Sequence, residues 1–272
     1  MAEPAEVSLP ATLCQAVRTE FFRAFRPPFE SLVTVAVNGA LMSSSWFLLP
    51  AELKDEVFTL HGTLAFALVL AAWMYSDVPA TNLLGPDSRR VTATIDDPVA
   101  LRRLLSAKSI FLWLVVTPVC LVVALVTGIF THDPLATLYT VIWIGVVPFG
   151  VLSITAWVGI LYPYHPMPLR YRWEHRRPRW RMLGRWITLV VAPYGLVPLL
   201  AVALMALSLL LWGLTSPHGL TRKLPDNDLG WGVALACAMA AVATVGGRWV
   251  SIRLARRRRV RLLAFLADPT RG

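Results

Sequence analysis

Six stretches of this chain contain no Asp, Glu, Lys or Arg: 31–51, 57–76, 109–132, 134–169, 186–221 and 229–247. All 16 acidic and all 26 basic residues lie between or beyond them. A helix needs ~20 apolar residues to cross a ~30 Å hydrocarbon core, and each stretch meets or nearly meets that length. An isolated charge at that depth costs several kcal/mol, so this exclusion is what a bilayer demands. The runs lack the alternation of barrel strands, which leaves helices to satisfy the backbone internally. The sequence therefore predicts an all-α integral membrane protein with six transmembrane helices. A charged fraction of 15% agrees, since soluble domains carry nearer a quarter.

Orientation follows from where the positive charge lies. If the N-terminus is inside, all the Lys and Arg except Lys54, Arg222 and Lys223 fall in inside segments. The positive-inside rule then places both termini in the cytoplasm of a multi-pass plasma (inner) membrane protein. Topology and attraction to anionic lipid headgroups account for the net charge of +10, and no nucleic-acid partner is expected. Arg256–Arg259 with Arg261 form a polybasic stop of the kind anionic lipid attracts. Cys14, Cys120 and Cys237 avoid the outer loops, so no disulfide framework is indicated.

The chain divides into a cytoplasmic tail with an interfacial helix (1–28), a six-helix membrane domain (29–255) and a basic cytoplasmic tail (256–272). Within 11–26, Leu13, Cys14, Val17, Phe21, Ala24 and Phe25 share one helical arc. Gln15, Arg18, Thr19, Glu20, Arg23 and Arg26 take the rest, so the arc of Phe faces acyl chains and the polar arc faces water and phosphate. The spans are expected at about Leu32–Leu49, Val57–Tyr75, Ile110–Phe130, Leu135–Tyr162, within 186–221, and at Leu229–Val250, with a tight outer turn at Thr131–Pro134. Pro148 and Gly150, and Pro193, Gly195 and Pro198, mark where kinks would fall. Gly246-Gly247 favour close helix approach. Polar residues inside spans either join helices or line a path, and Asn38, Ser44, His61 and Tyr194 are the candidates.

The charged interruption at 77–109 is the longest inside segment after the first span, far longer than a turn requires. Asp97-Pro98 has the form of an N-cap followed by the first helical residue. No catalytic or metal-binding constellation accompanies it: there is no GxxxxGK[ST], no HExxH, no Cys-x-x-Cys and no carboxylate in a span. Catalytic and metal residues are accordingly expected to be none.

Two motifs carry a resemblance. Asn82-x-x-Gly85-x-Asp87, then Pro98, then Leu104-Leu105-x-x-Lys108 forms one, and Gly150-x-x-Ser153 followed by Tyr162-Pro163-Tyr164 forms the other. With the topology, they resemble the membrane-spanning permease subunits of ABC exporters, in the type-2 permease class. The resemblance implies a separate ABC-type ATPase subunit that carries the ATP and Mg, with no cofactor on this chain. It also implies a second permease, identical or related. The coupling loop would comprise Asn82, Gly85, Asp87, Arg89, Arg90, Asp97, Pro98, Arg102, Arg103 and Lys108. Ser88–Thr94 is basic and polar where the family usually has an apolar run. The implied function is ATP-driven export of a hydrophobic or amphipathic drug, peptide or lipid-linked molecule. A non-transporting scaffold of an envelope-assembly complex is the alternative.

Overall fold

The computed structural model describes residues 9–26, 29–48, 50, 63–76, 80, 82–132, 134–163, 191, 193–204, 207, 210 and 226–268. Every regular element among them is helical. In chain order they are α1 (Leu13–Ala24), α2 (Glu30–Leu48), α3 (Thr63–Tyr75), a 3-10 turn (Gly85–Asp87), α4 (Ser88–Thr94), α5 (Pro98–Thr131), α6 (Pro134–Leu161), α7 (Pro193–Leu204), α8 (Asp226–Arg257) and α9 (Arg259–Leu266). Three are long and apolar enough to cross a membrane, within Pro98–Phe130, Ala136–Leu161 and Val233–Arg257. Shorter apolar helices at Leu32–Leu48, Phe66–Tyr75 and Pro193–Leu204 fall where the other three spans are expected. His61, the first outer loop at 51–56 and most of the basic loop at 163–185 lie outside the described residues.

Local signals set the helix ends. Asp97 is extended at φ −99° and ψ 106°, its carboxylate accepts from the Val99 N–H at 2.8 Å, and Pro98 needs no donor at the first helical position. From there α5 is one continuous helix of 34 residues, with Pro118 inside its apolar part, so the end of the charged loop and the start of the third apolar run are one rod. His132 closes it in the left-handed region at φ 54°, its N–H bonded to the Gly128 carbonyl. Pro134 then opens α6, which gives the expected tight turn. Gly128 faces the Thr137 side chain across that turn so closely that a Cβ would overlap it.

Among the described helices the tightest pair is α6 with α8. A Cβ on Gly247 would lie 2.9 Å from the Ser153 carbonyl carbon, and one on Gly150 would lie 3.1 Å from the Ala243 Cβ. Backbones this close also exchange hydrogen bonds. Trp157 Nε1 donates to the Gly247 carbonyl at 3.0 Å, and Ser251 Oγ donates to the Ser153 carbonyl at 3.3 Å. Small residues let helices approach where lipid supplies no hydrophobic drive between them. Gly247 fulfils the expectation of close approach, whereas Gly246 has nothing within 4 Å. α6 also runs unbroken through Pro148 and Gly150, and Gly150 serves as a contact to α8.

On the other side, α3 joins α5 through a buried bond of 2.6 Å between Tyr75 Oη and Thr117 Oγ1. Tyr75→Phe is expected to cost ~1 kcal/mol, as removal of one buried partner does. Adding Thr117→Val should restore most of that, because both polar groups are then gone. Thermal unfolding in detergent measures both steps.

Candidate functional site

Three distant parts of the chain meet at one end of the helices. The loop folds around an apolar kernel of Leu84, Val91, Ile95, Leu101 and Leu105, all fully buried. α9 contributes Leu262, Phe265 and Leu266 to the same core, and its Arg259 pairs with Asp96 at 2.8 Å. The stretch expected to be a basic tail thus carries a helix folded back on the loop.

α1 closes the assembly from the N-terminal side. Thr12 accepts from the Gln15 N–H at 3.2 Å, and the Gln15 side chain accepts from the Thr12 N–H at 3.4 Å, a reciprocal cap that starts the helix. Leu13, Phe21, Phe22 and Phe25 are exposed, while Ala16 and Glu20 are buried. This corrects the expectation that the whole polar arc faces water. Glu20 turns inward because the loop presents cations to it. Its Oε1 meets Arg90 Nη1 at 2.6 Å and its Oε2 lies 3.9 Å from Lys108 Nζ. Asp87 is the second node, paired with Lys108 at 2.6 Å and with Arg23 of α1. Arg103 completes the clamp by donating to the Pro10 carbonyl at 2.7 Å. Burial by itself would raise the Asp87 pKa, but the Lys108 and Arg23 cations overcome it and bring it from 3.8 down to about 2.

The loop residues singled out in the sequence therefore divide by role. Asn82, Asp87 and Lys108 are buried, and Gly85 is buried at the start of the 3-10 turn. Arg90 and Arg103 are held by α1 and the chain before it. Asp97 and Pro98 start α5. Arg89, Thr92 and Ala93 on α4, and Val99 and Arg102 on α5, remain exposed, and this outward surface of the loop is what a partner can touch. It is mixed in character: two guanidiniums, a hydroxyl and small apolar groups.

The path candidates are brought together only in part. Tyr194 Oη donates to Asn38 Oδ1 at 2.9 Å, and its ring lies 4.8 Å from that of Trp73, so α2, α3 and α7 converge there. Ser44 is exposed six residues beyond Asn38, about 240° round the helix.

One further residue escapes a search by hydropathy. The sixth uncharged run ends at Gly247, yet α8 continues through Arg248, which is 5% exposed. Its Nη2 donates to Ser109 Oγ at 2.9 Å and to Ser153 Oγ at 3.5 Å, joining α8 to α5 and α6. Ser153 belongs to the Gly150-x-x-Ser153 motif, so that motif marks a three-helix junction. The available signal was position, because Arg248 is flanked by Gly247 and by apolar Trp249 and Val250. Neither a protein-family model, nor a curated protein, nor a solved structure matches this chain.

Proposed function

We propose that this chain is the six-span permease subunit of an ATP-driven ABC exporter, working with a separate ATPase subunit and a second permease in the plasma membrane. The observation that carries the reading is mechanical. An exposed loop face at Arg89 and Arg102 stands on a packed kernel that is continuous with a 34-residue helix. Force applied to such a face is transmitted along the rod, because the helix has no break between loop and span. With no phosphate-binding motif on the chain, the work would come from outside it.

Topology supports the same reading. α1 and α9 each contact the loop, so an even number of crossings separates each of them from it. Two apolar helices before the loop and four after it meet that condition, with both termini on the loop's side. The positive-inside rule makes that side cytoplasmic, where an ATPase works. The convergence of Asn38, Tyr194 and Trp73 supports a substrate path between spans one, two and five. The mostly apolar character of those helices suits a hydrophobic or amphipathic cargo.

The test is co-purification from native membranes. A Walker-motif ATPase is expected to isolate stoichiometrically with the chain. Arg89→Glu with Arg102→Glu is expected to abolish that association and ATP-dependent transport while leaving thermal unfolding unchanged, since neither side chain holds the loop together. Isolation of the intact chain without any ATPase, or a charge-reversed variant that still transports, overturns the reading.

A further inference from the structure

A second basic feature lies at the same end of the molecule, between the start of α5 and the end of α8. It is a groove of about 760 Å³ walled by Arg253, Arg256 and Arg257 of α8 and by Arg102 of α5, the residue it shares with the exposed loop surface described above. Its single carboxylate, Asp96, is taken by Arg259 at 2.8 Å. Among the described residues no carboxylate pairs with the other four arginines. Like charges held this close repel, and the favourable occupant is an anion that several guanidiniums grip at once.

The helix below the groove narrows the choice of anion. Val242, Val245 and Trp249 lie on one stripe of α8 and are 68%, 62% and 59% exposed. The stripe continues through Ile252 and then turns cationic at Arg253 and Arg256. The change falls at Trp249, over whose ring the Arg253 guanidinium sits at 4.9 Å. Tryptophan favours the level of lipid headgroups, apolar on one side and wet on the other. One face of one helix is thus apolar along the membrane-length segment and cationic at its end, which is the polarity of an anionic lipid in reverse. A soluble acidic protein would use the arginines and leave the stripe bare.

We propose that this groove binds the phosphate headgroup of an anionic bilayer phospholipid, with the acyl chains laid along Val242, Val245 and Trp249. Several arginines around one opening favour a headgroup with more than one negative charge. The site is discrete, unlike the diffuse attraction any polybasic tail exerts, and it does not depend on the transport reading.

The probe is cardiolipin. The full-length chain is reconstituted in phosphatidylcholine nanodiscs with and without cardiolipin, and the lipid retained on release is read by native mass spectrometry. Wild type is expected to retain cardiolipin in preference to phosphatidylcholine. Arg253→Gln, Arg256→Gln and Arg257→Gln should together weaken retention about a hundredfold, from about fivefold per guanidinium near a headgroup. Trp249→Ala should weaken it with no change of charge. Arg258→Gln with Arg261→Gln removes neighbouring charge outside the groove, and should have a much smaller effect per arginine. An equal loss per arginine from both sets would show diffuse attraction and overturn the proposal. So would displacement of cardiolipin by equimolar inorganic pyrophosphate, which would mark a site for soluble anions. Unchanged retention in the groove variant, with loss of a co-purifying ATPase, would make the groove a protein-docking face and equally overturn it.

Discussion

Asp87→Asn is expected to destabilise the protein by about 3 kcal/mol at neutral pH. Removing one partner of a buried pair strands the other charge, which typically costs ~3–5 kcal/mol. The low end applies because Glu20 still stands 3.9 Å from the Lys108 ammonium. Arg23 contributes less than Lys108, since its side chain is 42% exposed and solvent screens it, against 10% for Lys108. For a chain of this size, the midpoint of thermal unfolding should fall by about 6–12 °C. The pH dependence separates charge from packing. The folded carboxyl titrates near 2, below its ordinary 3.8, so the stabilisation is complete above the ordinary value and fades as pH falls from about 5 toward 2. Wild type and variant should therefore converge at acid pH. An equal gap at pH 7 and pH 3 would assign the loss to shape. Lys108→Met added to Asp87→Asn should recover part of the loss at pH 7, because the stranded cation is then gone.

That network also shows which parts of the site the sequence disclosed. The N-cap at Asp97, the helix that follows it, the turn between α5 and α6 and the helix before the first apolar run all follow from local rules. Each depends on neighbours within a few residues. The inward turn of Glu20 does not. Its partners Arg90 and Lys108 lie 70 and 88 positions away, and nothing in the periodicity of α1 distinguishes a polar arc facing water from one facing a buried cation. The stripe Leu262, Phe265 and Leu266 does have helical spacing, but the arginine run beside it invited an explanation by lipid attraction alone.

Hydropathy is limited in a second way where the solvent is lipid. On α5, Val119, Val122, Leu125 and Val126 are exposed, while Val116, Thr117, Cys120 and Ala124 are fully buried. Apolar residues occupy both faces, because lipid accepts them as readily as protein does. The inner face is marked by smaller and weakly polar side chains, which give backbones room and hydroxyls partners. The same signature appears on α6 and α8, where Gly150, Ser153, Ala240, Gly247 and Ser251 line the contact. A scale of hydrophobicity registers these positions as weaknesses in a span, whereas they are its packing face.

That reading predicts opposite fates for two adjacent glycines. Gly247→Leu is expected to cost about 3 kcal/mol or more, beyond the usual ~1–3 kcal/mol of overpacking. Its first added atom would lie 2.9 Å from the Ser153 carbonyl carbon, 3.0 Å from the oxygen and 3.1 Å from the Ile154 nitrogen. These are backbone atoms of a helix and cannot rotate away, so α6 and α8 must separate. Separation breaks the Trp157 and Ser251 bonds and withdraws Arg248 from Ser153, leaving a buried guanidinium with fewer partners. Gly246→Leu places the same side chain one residue earlier, where nothing lies within 4 Å. It should be neutral or slightly stabilising, since leucine favours a helix over glycine by somewhat less than ~1 kcal/mol. Thermal unfolding in detergent compares the two directly. Equal losses would mean that glycine at this point serves flexibility, and the close approach of α6 to α8 would no longer explain the junction around Arg248.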